Sequence, residues 1–256
     1  MDPDPHPPAH DAGRFRTTHW SAVLLSAQSQ APGAQAALAE LCRLYWYPLY
    51  GFVRSRGHGP EAAQDLTQGF FLHLLEHRAL HHVSPAKGKF RSFLLASLQN
   101  YLANEANRAR RLKRGGQVEF VPLDAEAVEQ RYRLEPADPL TPETLFDARW
   151  ARALLGEVTQ RLRQEHALEG KAAAFDTLKP FLDPINGPGS RSYEQAAREL
   201  QVSVGAVKTL IHRLRKQYSA RLREEIARTV PDPEQVDEEI HALCQALLAS
   251  EGRLGP

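Results

Sequence analysis

Apolar side chains in this chain return every three or four positions and nowhere alternate in steps of two. Leu38, Leu41, Tyr45, Leu49 and Phe52 form one stripe. Leu66, Phe70 and Leu74 form a second, with Phe71 and Leu75 beside it, and Phe90, Leu94, Leu98 and Leu102 form a third. This is the period of the α-helix, not of the strand, so the chain is confined to an all-α fold. Breaks fall at Gly57-His58-Gly59-Pro60, along Ser84 to Lys89, at Gly115-Gly116 and along Asp183 to Gly189. Pro60 is placed to open a helix, whereas Pro48 falls inside a stripe and predicts a kink or a restart.

With 256 residues, the chain can bury two small cores. The pattern predicts a helical domain over 36–116 and a second over 145–230. In the second, Leu154, Val158 and Leu162 share a face, and Phe175, Leu178 and Phe181 mark a short helix. Between them, 117–144 holds Pro122, Pro136, Pro139 and Pro142 and reads as a mostly extended acidic linker. Residues 231–256 form an acidic C-terminal extension in which Val236, Ile240, Leu243 and Leu247 predict one amphipathic helix. Its role is open between packing on the second domain, tuning partner binding and engaging a further protein. Residues 1–35 read as a disordered leader with room for a short helix; Met1 to His19, rich in Pro, His and Asp, has no apolar segment of the signal-peptide kind. No apolar run approaches the roughly 18 residues of a membrane span. A cytoplasmic location follows, with Cys42 and Cys244 as free thiols rather than ligands.

The net charge of +1 conceals segregation. Ser84 to Gly116 holds eight Lys/Arg against the single acid Glu105, and Arg191 to Arg228 holds nine against four. Glu119 to Asp147 reverses the balance, with eight acids against two arginines. Two separate basic blocks point to two nucleic-acid surfaces on one chain.

The second block contains a recognisable unit. Ser192 begins a short helix as its N-cap, with Gln195 three residues on as in a capping box. Ala196, Ala197 and Leu200 supply a small-residue packing face. Gln201-Val202-Ser203 is a three-residue turn, and Ser203 caps a second helix in which Val207, Ile211, Leu214, Tyr218 and Leu222 face inward. A short helix, a tight turn and a second helix make a helix-turn-helix, the unit that reads duplex DNA. Ser203 joins the DNA-binding positions, and Val204, Gly205, Ala206, Lys208 and Thr209 are then the candidates for base edges. His212, Arg213, Arg215 and Lys216 lie on the same outer, basic face, where the arginines and Lys216 would hold phosphates. The turn residue Gln201 would take left-handed backbone geometry usually left to glycine, at about 1 kcal/mol.

Ser192 to Leu200, followed by Val202 to Lys208 and His212 to Arg215, resembles the fourth conserved region of bacterial sigma factors of the extracytoplasmic-function group. Glu61 to Leu72 resembles the polymerase-binding helix of the second region. Gly88 to Leu95, continued through Asn100 to Arg111, resembles the helix that melts and reads the promoter. The resemblance covers roughly 36–116 and 145–228, in family order. It implies that Asp65 and Gln68 dock on core RNA polymerase. It also implies that Lys87, Lys89, Arg91, Asn100, Asn104, Asn107, Arg108, Arg110 and Arg111 hold the downstream promoter element as single strand, and that the helix-turn-helix binds the upstream element as duplex. The implied partners are core polymerase, promoter DNA and an anti-sigma or other regulatory protein. Phe93 is placed either to stack on a base or to join the core. Departures stand beside the likeness: Gly69 replaces a usual acid, Asn104 a common Asp and Leu210 a frequent Arg.

Two rival functions remain. One is a sigma-like DNA-binding regulator that no longer activates polymerase, favoured by Gly69. The other is a metal-dependent enzyme built on His73, His77 and His81, which recur every four residues but lack a nearby carboxylate pair or Cys ligand. With no phosphate loop or catalytic triad in the sequence, the expectation is a binding protein without a cofactor or bound metal.

Overall fold

The computed structural model describes residues 34–76, 88–111, 125–133, 140–182 and 192–250. These are predominantly helical, with no strand among the described residues. In chain order the α-helices are α1 (Ala34–Ser55), α2 (Pro60–Glu76), α3 (Phe90–Arg111), α4 (Ala125–Arg133), α5 (Pro142–Leu168), α6 (Ala172–Leu178), α7 (Tyr193–Leu200), α8 (Val204–Ala227) and α9 (Val236–Ala249). Short 3-10 turns, Lys179–Leu182 and Pro233–Gln235, follow α6 and precede α9. Helix α1 runs through Pro48 without a restart. The prolyl ring removes one backbone donor, and burial of Tyr45, Leu49 and Phe52 around it offsets the loss.

The axis of the molecule is α5. Thr141 caps it, its hydroxyl accepting from the Thr144 N–H at 3.2 Å, and Pro142 stands where a missing donor costs nothing. Phe146, Trp150 and Leu154, from its first half, enter a core built with α1, α2 and α3. Tyr45 stands edge-on to Phe90 at 5.4 Å and stacks on Trp150 at 6.1 Å. Val158 and Leu162, two turns further on, enter a second core with α6, α7 and α8. Leu222 of α8 packs against both. Two cores therefore exist, but they do not divide at 117–144. The segment from Leu145 that periodicity gave to the second domain contributes its first three turns to the first core. Helical period identifies which face is buried, not which partner buries it.

Helix α1 approaches α5 closely at Gly51, where any β-carbon would strike the Arg149 guanidinium, itself 2% exposed. Part of the expected extended linker is helical. Helix α4 docks on α1 through Glu129, which accepts from Tyr50 Oη, from Arg54 Nε and Nη2 at 3.0 Å each, and from Arg133 Nε at 3.1 Å. Arg54 and Arg131 lie over the rings of Tyr132 and Tyr47 at 4.7 and 4.0 Å. The flanking 117–124 and 134–139, like residues 1–33, lie outside the described residues.

The C-terminal helix α9 joins the first core. Val236 and Leu243 are buried there, and Ala246 meets Leu145 and Ala148 of α5. No helix among the described residues is long and apolar enough to cross a membrane.

Candidate nucleic-acid interface

The helix-turn-helix forms over the residues that predicted it. Ser192 Oγ accepts from the Gln195 N–H at 3.1 Å, and Ser203 Oγ from the Ala206 N–H at 3.2 Å, so each hydroxyl satisfies a donor that its helix leaves open. Gln201 adopts φ 55° and ψ 40° and is, among the described residues, the non-glycine residue with positive φ. The Val202 N–H reaches Ala197 O at 3.0 Å and the Gln201 N–H reaches Arg198 O at 3.3 Å. This pair of bonds is a Schellman ending, which turns the chain sharply from α7 into α8. Ala196 and Ala197, buried against Val207, Ile211 and Leu214, let the two helices approach.

On the outer side of α8, Gly205, Lys208, Thr209, His212, Arg213 and Lys216 are exposed beside the Ser203 cap, while Val204 and Ala206 are half-buried. Lys208 Nζ stands 5.6 Å over the Tyr193 ring, which itself stacks on Phe181 at 5.3 Å. Thr209 Oγ1 donates to Gly205 O at 3.1 Å. Arg215 departs from its expected role: its Nε and Nη2 both donate to Phe181 O, at 3.1 and 2.8 Å, so the guanidinium ties α8 to the turn after α6 instead of standing free for phosphate. Leu210 packs partly into the second core.

The first basic block divides into two. Along α3, Asn100, Asn104, Asn107 and Arg108 are exposed on one side, with Arg108 Nη1 3.6 Å from Glu105. Arg110 and Arg111 lie in its last turn. Lys87 lies outside the described residues. Lys89 and Arg91, expected on DNA, are paired within the chain. Arg91 is 6% exposed and pairs with Asp147 of α5 at 2.7 Å and with Glu239 of α9. Lys89 Nζ reaches Glu239 at 2.7 Å. Both cations turn inward because a fully buried carboxylate from α9 is already there. Phe93 is partly buried against the first core, and Phe71 is buried in it.

On α2, Asp65 is exposed and Gln68 half-buried. Gly69 faces Tyr101 of α3, whose ring also meets Phe70 at 5.8 Å and His73 at 5.4 Å. His73 is thus engaged in ring packing, and His77 and His81 lie outside the described residues. No His, Cys, Asp and Glu cluster suited to a metal occurs among the described residues. Burial pushes the Cys42 thiol up to about 11, which leaves it protonated at neutral pH.

No family model, no curated protein and no solved structure matches the chain.

Proposed function

We propose that this chain is a sigma factor, which docks on core RNA polymerase and directs promoter recognition and transcription initiation. The observation that carries the reading is the doubly capped helix-turn-helix, which leaves Gly205, Lys208, Thr209, His212, Arg213 and Lys216 exposed on one side of α8. The likeness of two ordered segments to sigma regions two and four supports it. The start of α8 enters the major groove of the upstream element, with Lys208 and Thr209 at base edges and Arg213 and Lys216 on phosphates. Asn100, Asn104 and Asn107 hydrogen-bond bases of the separated downstream strand, and Arg108 follows its backbone. Asp65 and Gln68 meet polymerase. The role is one of binding, without a cofactor, and belongs in the cytoplasm with its polymerase; an anti-sigma or other regulatory protein is a further expected partner.

One observation favours a second reading, a DNA-binding regulator that does not activate polymerase. Position 69 carries no acid on the docking helix, and Tyr101 fills the space a side chain would need. In-vitro transcription with bacterial core polymerase, on promoter fragments from the protein's own genome, separates the two. New start sites that vanish with Asp65→Ala, and separately with Arg213→Ala, support the sigma factor. Duplex binding with neither transcripts nor crosslinking to core supports the regulator.

A further inference from the structure

The carboxylate of Glu239 is wholly buried, yet it lies against two cations, Lys89 and Arg91, at the start of α3. The same helix start gives its Phe90 N–H to Thr229 O at 3.1 Å, in the connection between α8 and α9. A helix N-terminus flanked by Lys and Arg is a setting that suits a phosphate. Here the C-terminal segment supplies the oxygens, while Asp147 holds the other side of Arg91.

We propose that α9 is an intramolecular latch, with the Glu239 carboxylate seated where a phosphate of the nucleic-acid backbone binds, and that nucleic acid displaces it. The inference rests on the DNA-binding reading above. A buried ion pair often holds helices together no better than apolar side chains of equal volume, so packing is not by itself a reason for Glu239. A carboxylate between two cations is instead a contact that another anion can replace. The latch also joins the two candidate surfaces. Asp237 of α9 pairs with Arg223 of α8 at 2.6 Å, two residues before Glu239 meets α3. While α9 is seated, it touches both α3 and the recognition helix α8.

The test uses the full chain and a labelled, mixed-sequence single-stranded oligonucleotide. Glu239→Gln removes the carboxylate that the oligonucleotide has to displace, so affinity should rise about tenfold. Glu238→Gln, exposed one position away, makes the same charge change and should leave affinity at the wild-type level. An equal rise for both variants overturns the latch, as does no rise for a folded Glu239→Gln. Amide hydrogen exchange on the wild-type chain decides the matter without any variant. Saturating oligonucleotide should speed exchange of the Phe90 amide and of α9 about tenfold, and unchanged protection in a bound chain overturns the latch alone. Absence of oligonucleotide binding by every chain overturns the DNA reading itself and the latch with it.

Discussion

The Tyr101 hydroxyl fills the space beside Gly69 in which a β-carbon would stand. Glycine is a poor helix former, yet it sits in the middle of α2 because α3 presses a tyrosine against it. The position that departs from the sigma-factor pattern is therefore accounted for by packing between two helices, independently of any partner.

Gly69→Ala sets two effects against each other. Alanine gains about 1 kcal/mol of helix propensity, while overpacking against Tyr101 costs about 1–3 kcal/mol. The single variant should melt at or below the wild-type temperature. In a Tyr101→Phe background the hydroxyl is gone, and the same substitution should become stabilising by about 1 kcal/mol. Denaturant melts of the four chains measure the coupling; strictly additive effects would mean that the two residues do not meet.

The left-handed backbone of Gln201 makes an independent prediction. Gln201→Gly removes a steric penalty of about 1 kcal/mol, with no contact to lose from an exposed side chain. For a chain of this size the melting temperature should rise by about 2–4 °C. Gln201→Val, β-branched at positive φ, should lower it. The same order for both variants would show that the turn is not held in this geometry in solution.

Features of this kind were legible in advance because they are local. Ser192, Gln201 and Ser203 act on residues two to four positions away, and the stripe of Val207, Ile211 and Leu214 follows from helical period alone. What escaped the sequence is contact between distant segments. Nothing near Arg91 announces Glu239, nothing near Tyr50 announces Glu129, and Gly51 carries no sign of Arg149. Helix α4 was hidden for the same reason: its surroundings are acidic and proline-rich, and its docking rests on bonds to α1. Arg215 is exposed on α8, but its side chain bends back to a carbonyl 34 residues earlier in the chain.

Arg213 and Arg215, two positions apart, should fail in different ways. Arg213 is exposed on the outer face, so Arg213→Ala should leave the melting temperature unchanged, weaken duplex binding across sequences and flatten the salt slope by about 1. Arg215→Ala should lose about 1 kcal/mol of stability with its bonds to Phe181 O. Arg215→Lys should restore only part of that, because an ammonium cannot reproduce the two-pronged donor. Anisotropy titrations beside thermal melts separate the two roles, and a shared pattern would reject the distinction.

The Glu129 network predicts a pH dependence. Burial by itself would raise the carboxyl's pKa, but hydrogen bonds from Arg54, Tyr50 and Arg133 outweigh it and hold the group below its ordinary value. Tyr50 shifts the other way, raised by burial and by the Glu129 carboxylate, and so remains a donor. A carboxyl with a lowered pKa in the folded chain stabilises fully above its unfolded value, and that stability is lost as pH falls through the lowered one. Glu129→Gln should therefore cost about 3 kcal/mol near neutrality, the scale of breaking a buried pair. The gap from wild type should narrow steadily below about pH 4 as the wild-type carboxyl takes up its proton. Urea melts of both chains from neutral pH downward give the two curves. A gap that stays constant throughout would mean that the hydrogen bonds, and not the charge on Glu129, hold α4 on α1.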